Sequence, residues 1–333
     1  MKKLLLILVF TAAALFLLNR LAELDQIWET LRRGQPGWLL FAASLQVILL
    51  LNIAVSFRRI YRLFNMDEGI ARLVHLTAAA RFVNVVTPSL GASGMAVFVL
   101  DGRSRDLPGS RVSTSFVLYL LYDYLTFLIV LSLGLLILFR RHQLGPAEVA
   151  AAGLFGLAAF ALAAVAATAI RNGGRLEQLL CTTGGWINRT LRSILKRDLL
   201  DLDRARSFAG DLNTSLQLVR HAGGQLLVPA GLILTSKAIH ISVLLTVFHA
   251  FYQPYDLGIL VAGFSLAHLA LIVSPTPSGI GIVEGTMAIG LASLGVPGAT
   301  ATLIALAYRA ITFWLPLLYG MLAFRWVGQH AQA

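Results

Sequence analysis

The chain has little charge and almost no cysteine: 13% of its 333 residues are Asp, Glu, Lys or Arg, and Cys181 is the single thiol. One cysteine excludes an internal disulfide, and no Cys/His cluster has metal-ligand spacing, so neither a disulfide scaffold nor a structural zinc site is expected. Catalytic signatures are missing too. There is no Gly-x-Gly-x-x-Gly followed by a ribose-binding acid, no phosphate loop ending in Gly-Lys-Ser/Thr, no His-Glu-x-x-His and no Gly-x-Ser-x-Gly. The expectation is a protein that is not an enzyme, carries no cofactor and is not an ATP-driven pump by itself. Uphill transport would then need an ion gradient or a partner, whereas downhill scrambling needs neither.

What is present is apolar. Hydrophobic residues make up 57% of the chain and the mean hydropathy is +0.77, far outside the soluble range. This composition describes an all-α polytopic membrane protein. Its 27 Lys and Arg against 16 Asp and Glu give a net charge of +11, which in so apolar a chain fits contact with membrane lipids rather than nucleic acid.

A hydrocarbon core of about 30 Å needs roughly 20 apolar residues at 1.5 Å each. Residues 4–18 follow Lys2-Lys3 as a signal peptide would, but Asn19-Arg20-Leu21-Ala22-Glu23 offers no small-residue cleavage site, so a retained first helix is expected. Residues 37–57, 113–139, 148–170, 225–250 and 298–324 complete six full spans. Two further apolar stretches, 73–100 and 257–294, are each split by Pro and Gly. The first breaks at Thr87-Pro88-Ser89-Leu90-Gly91-Ala92-Ser93-Gly94, the second at Ser274-Pro275-Thr276-Pro277-Ser278-Gly279-Ile280-Gly281. Proline removes a backbone donor and serial glycines cannot hold a helix against lipid, so both stretches predict re-entrant hairpins with broken tips.

Loop charge supports that reading. With the N-terminus inside and the first hairpin re-entrant, 19 of the 27 cations fall on the inner side. Making 73–100 a true span would instead place the nine cations of 171–220 outside, against the positive-inside rule. The same parity puts the second hairpin's entry outside and the C-terminus inside, as in a plasma membrane protein with both termini cytoplasmic. Residues 1–333 then form a single integral membrane domain, with a cytoplasmic amphipathic connector at 171–222. Within it, Trp186-Ile187-Asn188-Arg189-Thr190-Leu191-Arg192-Ser193-Ile194-Leu195-Lys196 suits an interfacial helix near anionic head groups. Asp201-Leu202-Asp203 resembles the metal-binding Asp-x-Asp of some glycosyltransferases but lacks a nucleotide-binding fold, and reads as a solvated face.

Each hairpin is followed by a span with a shared signature, Tyr122-Asp123-Tyr124-Leu125-Thr126-Phe127 and Tyr308-Arg309-Ala310-Ile311-Thr312-Phe313. The chain therefore divides into two units, repeat 1 at 37–139 and repeat 2 at 225–324, with hairpins opening to opposite sides. Many transporters build a midplane site from discontinuous helices in such an inverted repeat.

Ionisable groups at membrane depth are costly, and each is a functional candidate. They are Arg81, Asp123, Lys237, His240, His268, Glu284 and Arg309. Three cations against two acids leave one positive charge, which with backbone amides exposed at the tips suits an anionic phosphate head group. The expected substrate-binding set is Arg309, Glu284, Arg81, Lys237, Asp123, Asn84 and Ser278. Alternatively Asp123 pairs with Arg309, and Glu284 with Lys237 or Arg81, merely pinning the bundle. The two histidines are expected to pack through a hydrogen bond. Asn84, Ser89, Ser93, Thr276 and Ser278 supply neutral donors at the tips, or only turn and cap chemistry.

Asn84 with the Thr87–Gly94 turn, Pro277-Ser278-Gly279-Ile280-Gly281-Ile282-Val283-Glu284, and Tyr308-Arg309 with Thr312-Phe313-Trp314-Leu315-Pro316 resemble the flippase-like transmembrane family (UPF0104-like) named after lysylphosphatidylglycerol synthase. The resemblance covers nearly the whole chain. It implies a polytopic lipid-handling protein of a bacterial or archaeal membrane, related to the flippase half of the bacterial multiple peptide resistance factor. The cargo would be an anionic or polyprenyl-type lipid; the alternative is a membrane enzyme or subunit of lipid-linked glycan or aminoacyl-lipid metabolism, working with a partner enzyme. Many members carry a Glu in the first glycine-rich turn and a Glu-Arg pair four residues before the acid matching Asp123. Here Gly94 and Tyr119-Leu120 stand there. No aminoacyl-transferase domain follows Phe324, so the synthase activity is not implied.

Overall fold

The computed structural model describes residues 28–87, 92–141, parts of 149–164, 217–274 and 276–330. The expected first span, Ser89, the 186–196 segment and the 201–203 triplet lie outside the described residues, and the 148–170 span falls within them only in part. The fold is built from α1 (Pro36–Leu63), α2 (Ile70–Val86), α3 (Ala92–Arg103), α4 (Gly109–Arg140), α5 (Leu227–Ala250), α6 (Leu257–Val273), α7 (Ile282–Ser293) and α8 (Gly298–Arg309). A π-turn (Ala310–Trp314) then leads from α8 into α9 (Leu315–His330). No strand occurs among the described residues.

Among the described residues four helical segments, Pro36–Leu63, Gly109–Arg140, Gly223–Ala250 and Gly298–Gly328, are long and apolar enough to cross a membrane. The 17 residues of α2 or α6 reach about 26 Å and the 12 of α3 or α7 about 18 Å, short of a hydrocarbon core of about 30 Å. Large apolar side chains, among them Leu40, Ile129, Leu133, Leu136 and Leu322, point outward and exposed. Such a surface invites aggregation in water and is the ordinary face of a helix in lipid. The chain is an all-α, multi-pass membrane protein.

The two units use the same turns. α1 and α5 each close on a left-handed residue, Asn65 (φ 56°) and Tyr252 (φ 55°). The following amides bond back to Tyr61 at 3.0 Å and Phe248 at 3.1 Å, the six-to-one bond of a Schellman cap. α3 and α7 end alike, with left-handed Asp106 and Gly295 and bonds from Leu107 to the Gly102 carbonyl at 2.9 Å and from Val296 to the Leu291 carbonyl at 3.1 Å. A proline then opens each next helix, Pro108 before α4 and Pro297 before α8.

Packing between the units is reciprocal. α1 and α5 lie antiparallel, tied by the Gln35 amide to the Ala250 carbonyl at 2.9 Å and by Asn52 Nδ2 to the Leu232 carbonyl at 2.7 Å. α2 runs along α9, and α6 runs along α4, so the opening arm of each hairpin packs on the last span of the other unit. Glycine makes both approaches possible. A Cβ on Gly320 would sit 2.7 Å from the Ala78 carbonyl oxygen, and one on Gly134 2.7 Å from the Ser265 Cβ.

The interior has two principal cores. One gathers Phe57, Ile60, Leu76, Phe82, Phe98, Phe116, Leu118 and Leu317; the other gathers Phe127, Val243, Phe248, Phe264, Val283, Met287 and Ile304. Each surrounds one hairpin. The membrane-depth polar groups lie along the seam: Gln46 between Ala42 and Leu49, Asp123 between Leu118 and Phe127, and Lys237 between Ile233 and Val243. Apolar packing is thus interrupted at one level of the bundle, where the charged side chains converge.

Candidate functional site at the seam

Arg309 ends α8 and is 5% exposed. Its Nε donates to Glu284 Oε1 at 2.8 Å and its Nη2 to the Ser278 carbonyl at 2.9 Å, while the guanidinium lies 4.4 Å from the centre of the Phe313 ring. Only a forked, planar cation meets two acceptors and a ring face together. Phe313 belongs to the π-turn that starts one residue after Arg309, a local unwinding often found at functional sites. Ser278, in the second hairpin tip, has φ 55°, a left-handed backbone that an L-residue adopts at a cost. The bond from Arg309 fixes its carbonyl in that geometry.

Glu284 also accepts from the Gly281 amide at 2.7 Å through Oε2, capping α7. In the first hairpin, Asn84 Oδ1 accepts from the Gly94 amide at 2.7 Å and the Ser93 hydroxyl at 2.7 Å. At each tip one amide expected to be exposed, that of Gly94 or Gly281, is occupied by a side chain of the hairpin itself. A Cβ on Gly94 would lie 2.5 Å from Asn84 Nδ2, so a glycine at this position leaves room for Asn84.

The second charged pair joins α4 and α5. Lys237 Nζ donates to Asp123 Oδ1 at 2.6 Å, with side-chain exposures of 3% and 22%. Pairing is therefore Asp123 with Lys237 and Glu284 with Arg309. The alternative of Asp123 with Arg309, and of Glu284 with Lys237 or Arg81, is corrected: Arg309 is held by the tip of its own unit, one helix away in sequence. Beside this pair His240 Nδ1 meets the Ser236 carbonyl at 2.8 Å, and the His268 ring lies 4.4 Å from Phe127 and 5.4 Å from Phe264. The two imidazoles are 6.5 Å apart.

Arg81, on α2, is partly exposed and makes no ion pair or hydrogen bond among the described residues. Its charge reaches Tyr119, His240 and His268. The structure thus brings Asp123, Lys237 and both histidines together with Arg81 within electrostatic reach, and separately Arg309, Glu284 and Ser278; the Pro277–Gly279 turn of this second group touches α2. Asn84 lines the first tip. Sequence reasoning passed over Gln46, which is fully buried on α1 with both amide atoms unpartnered among the described residues. A lone amide within a span was the available signal.

The profile of the family described as "Lysylphosphatidylglycerol synthase TM region" matches residues 4–320. A "UPF0104 membrane protein" of Methanothermobacter thermautotrophicus is 23% identical over 325 residues, covering 96% of this chain and 93% of that protein.

Proposed function

The chain belongs to the lysylphosphatidylglycerol synthase transmembrane family, and from that premise we propose that it moves an anionic or polyprenyl-type lipid between the leaflets of the plasma membrane. The observation that carries this reading is the uncompensated cation. Among the described residues Lys237 and Arg309 each hold a carboxylate, whereas Arg81 has none. A phosphate head group supplies the missing negative charge, at a level where acyl chains can remain in lipid on the exposed apolar faces. Two hairpins inserted from opposite sides give the seam an opening toward each leaflet in turn, with both termini cytoplasmic. The paired charges then act as exchangeable locks, releasing a cation to the head group in one state and reclaiming it in the other.

The test is translocation of a fluorescent phosphatidylglycerol in proteoliposomes, read by accessibility to an aqueous reductant. Arg81→Gln and Arg309→Ala should each lower the rate at least tenfold in protein that inserts and folds. Wild-type rates in both would remove the seam from the pathway.

A further inference from the structure

Lys237 cannot serve an anionic head group while Asp123 holds it. If a phosphate takes Lys237, Asp123 becomes a buried carboxylate without its cation, a state costly enough that such groups take up a proton instead. Lys237 of α5 touches Asp123, and within electrostatic reach of it are His240 from α5, His268 from α6, and Tyr119 and Tyr124 from its own helix. Arg81 from α2 reaches the same cluster through the histidines and Tyr119. Arginine stays charged and tyrosine stays neutral near pH 7, so Asp123 and the two imidazoles are the groups able to exchange protons there.

The imidazoles are placed for that traffic. His240 is tied through Nδ1 to the Ser236 carbonyl, which leaves Nε2 as its open nitrogen. His268 packs on Phe127 and makes no hydrogen bond among the described residues. His240 and Lys237 lie one turn apart on one helix, so the pair and both rings form a single compact group.

We propose that Asp123, Lys237, His240 and His268 form a proton-exchange site that couples lipid movement to a proton gradient, one proton entering for each head group that takes Lys237 from Asp123. The proposal rests on the translocase reading. The charges balance: a phosphate monoanion binds the Lys237 ammonium, and one proton relayed by the imidazoles adds to the Asp123 carboxylate to give the neutral acid. With Arg81, Lys237 and Asp123 ionised the cluster carries one net positive charge, and it carries the same after both have bound. When the head group leaves, Asp123 gives up the proton and Lys237 returns to it. The cargo is thereby narrowed to a lipid with an anionic phosphate, moved in the direction in which protons flow.

Binding of short-chain dihexanoylphosphatidylglycerol to the full chain in detergent, titrated calorimetrically at pH 7 in buffers of different ionisation enthalpy, counts the protons. About one proton should enter per lipid, and affinity should weaken up to tenfold per pH unit as pH rises. Asp123→Asn should abolish the uptake. Should that variant fail to fold, His268→Gln in proteoliposomes provides the second arm, with a rate under an imposed pH gradient lowered at least tenfold. Lipid binding without proton uptake, or a gradient-driven rate in His268→Gln equal to wild type, overturns the coupling and leaves the translocase reading standing. Absence of lipid binding in wild type overturns both.

Discussion

Asp123 and Arg309 stand 186 residues apart at the same place in the repeated Tyr-x-x-x-Thr-Phe signature, yet they carry opposite charges and are neutralised from different helices, by Lys237 of α5 and Glu284 of α7. The two units share turns and packing but not the polarity of the seam. Charge asymmetry on a symmetric scaffold gives the two hairpins different chemical roles. The second is locked by its own span, and the first carries Arg81, which has no carboxylate partner among the described residues.

Arg309→Lys should not rescue Arg309→Ala. A lysine ammonium cannot reach Glu284 and the Ser278 carbonyl together while lying over Phe313. Each variant is expected to lose about 2 kcal/mol of stability, from the carboxylate or carbonyl left unpaired, and most translocation. Denaturation in detergent beside the proteoliposome assay measures both; a lysine variant equal to wild type in both would show that charge alone suffices.

Gly134 and Gly320 are also 186 residues apart, and each lets a hairpin arm of the other unit approach. Gly134→Ala and Gly320→Ala should each cost about 1–3 kcal/mol through overpacking. Adding Ser265→Gly to Gly134→Ala should restore part of the loss, since the Ser265 side chain is the obstacle. No such change can restore Gly320→Ala, where the obstacle is the Ala78 carbonyl. Equal recovery in both double variants with Ser265→Gly would mean that the contacts do not set the spacing.

Ser278 carries a left-handed backbone, so Ser278→Gly should unfold no earlier than wild type, while Ser278→Val should be less stable by about 1–2 kcal/mol. Paired melting curves decide. A valine variant as stable as the glycine variant would mean that the tip relaxes out of this geometry at no cost.

At the turn into α6, Asp256 is held below the usual carboxylate range, first by the hydrogen bond from Arg141 at 2.6 Å and further by the Ile259 amide at 2.9 Å. A depressed folded-state value contributes stability that is present above the unfolded value and is lost as pH falls through the folded one. Wild type should therefore lose its advantage over Asp256→Asn as the pH is lowered below about 4. Melting temperatures of both proteins between pH 7 and pH 3 read this directly. A constant difference across the range would show that the ion pair contributes nothing at this exposed site.

Much of the fold was legible because it follows from local rules. The bilayer sets a helix length, proline and glycine break helices wherever they occur, and the repeated turns at 64–66 and 251–253 are Schellman caps. The identities of the charged seam residues were legible for the same reason, since a charge in an apolar run is visible without a structure. Pairing was not. Arg309 chooses Glu284 because the tip of its own unit folds back onto the end of α8, and Gln46 joins the seam because α1 lies antiparallel to α5. Such distances depend on how helices far apart in sequence are brought together.

The sequence by itself determined the membrane environment, the broken helices, the repeated signature and the short roster of charges within apolar runs, all consequences of composition and spacing along one chain. Only the tertiary structure decided which charges cancel, that Arg81 has no partner among the described residues, and that Asp123, Lys237 and two histidines form one group. The physical reason is that electrostatic pairing acts over a few ångströms through space, and only helix packing sets those separations.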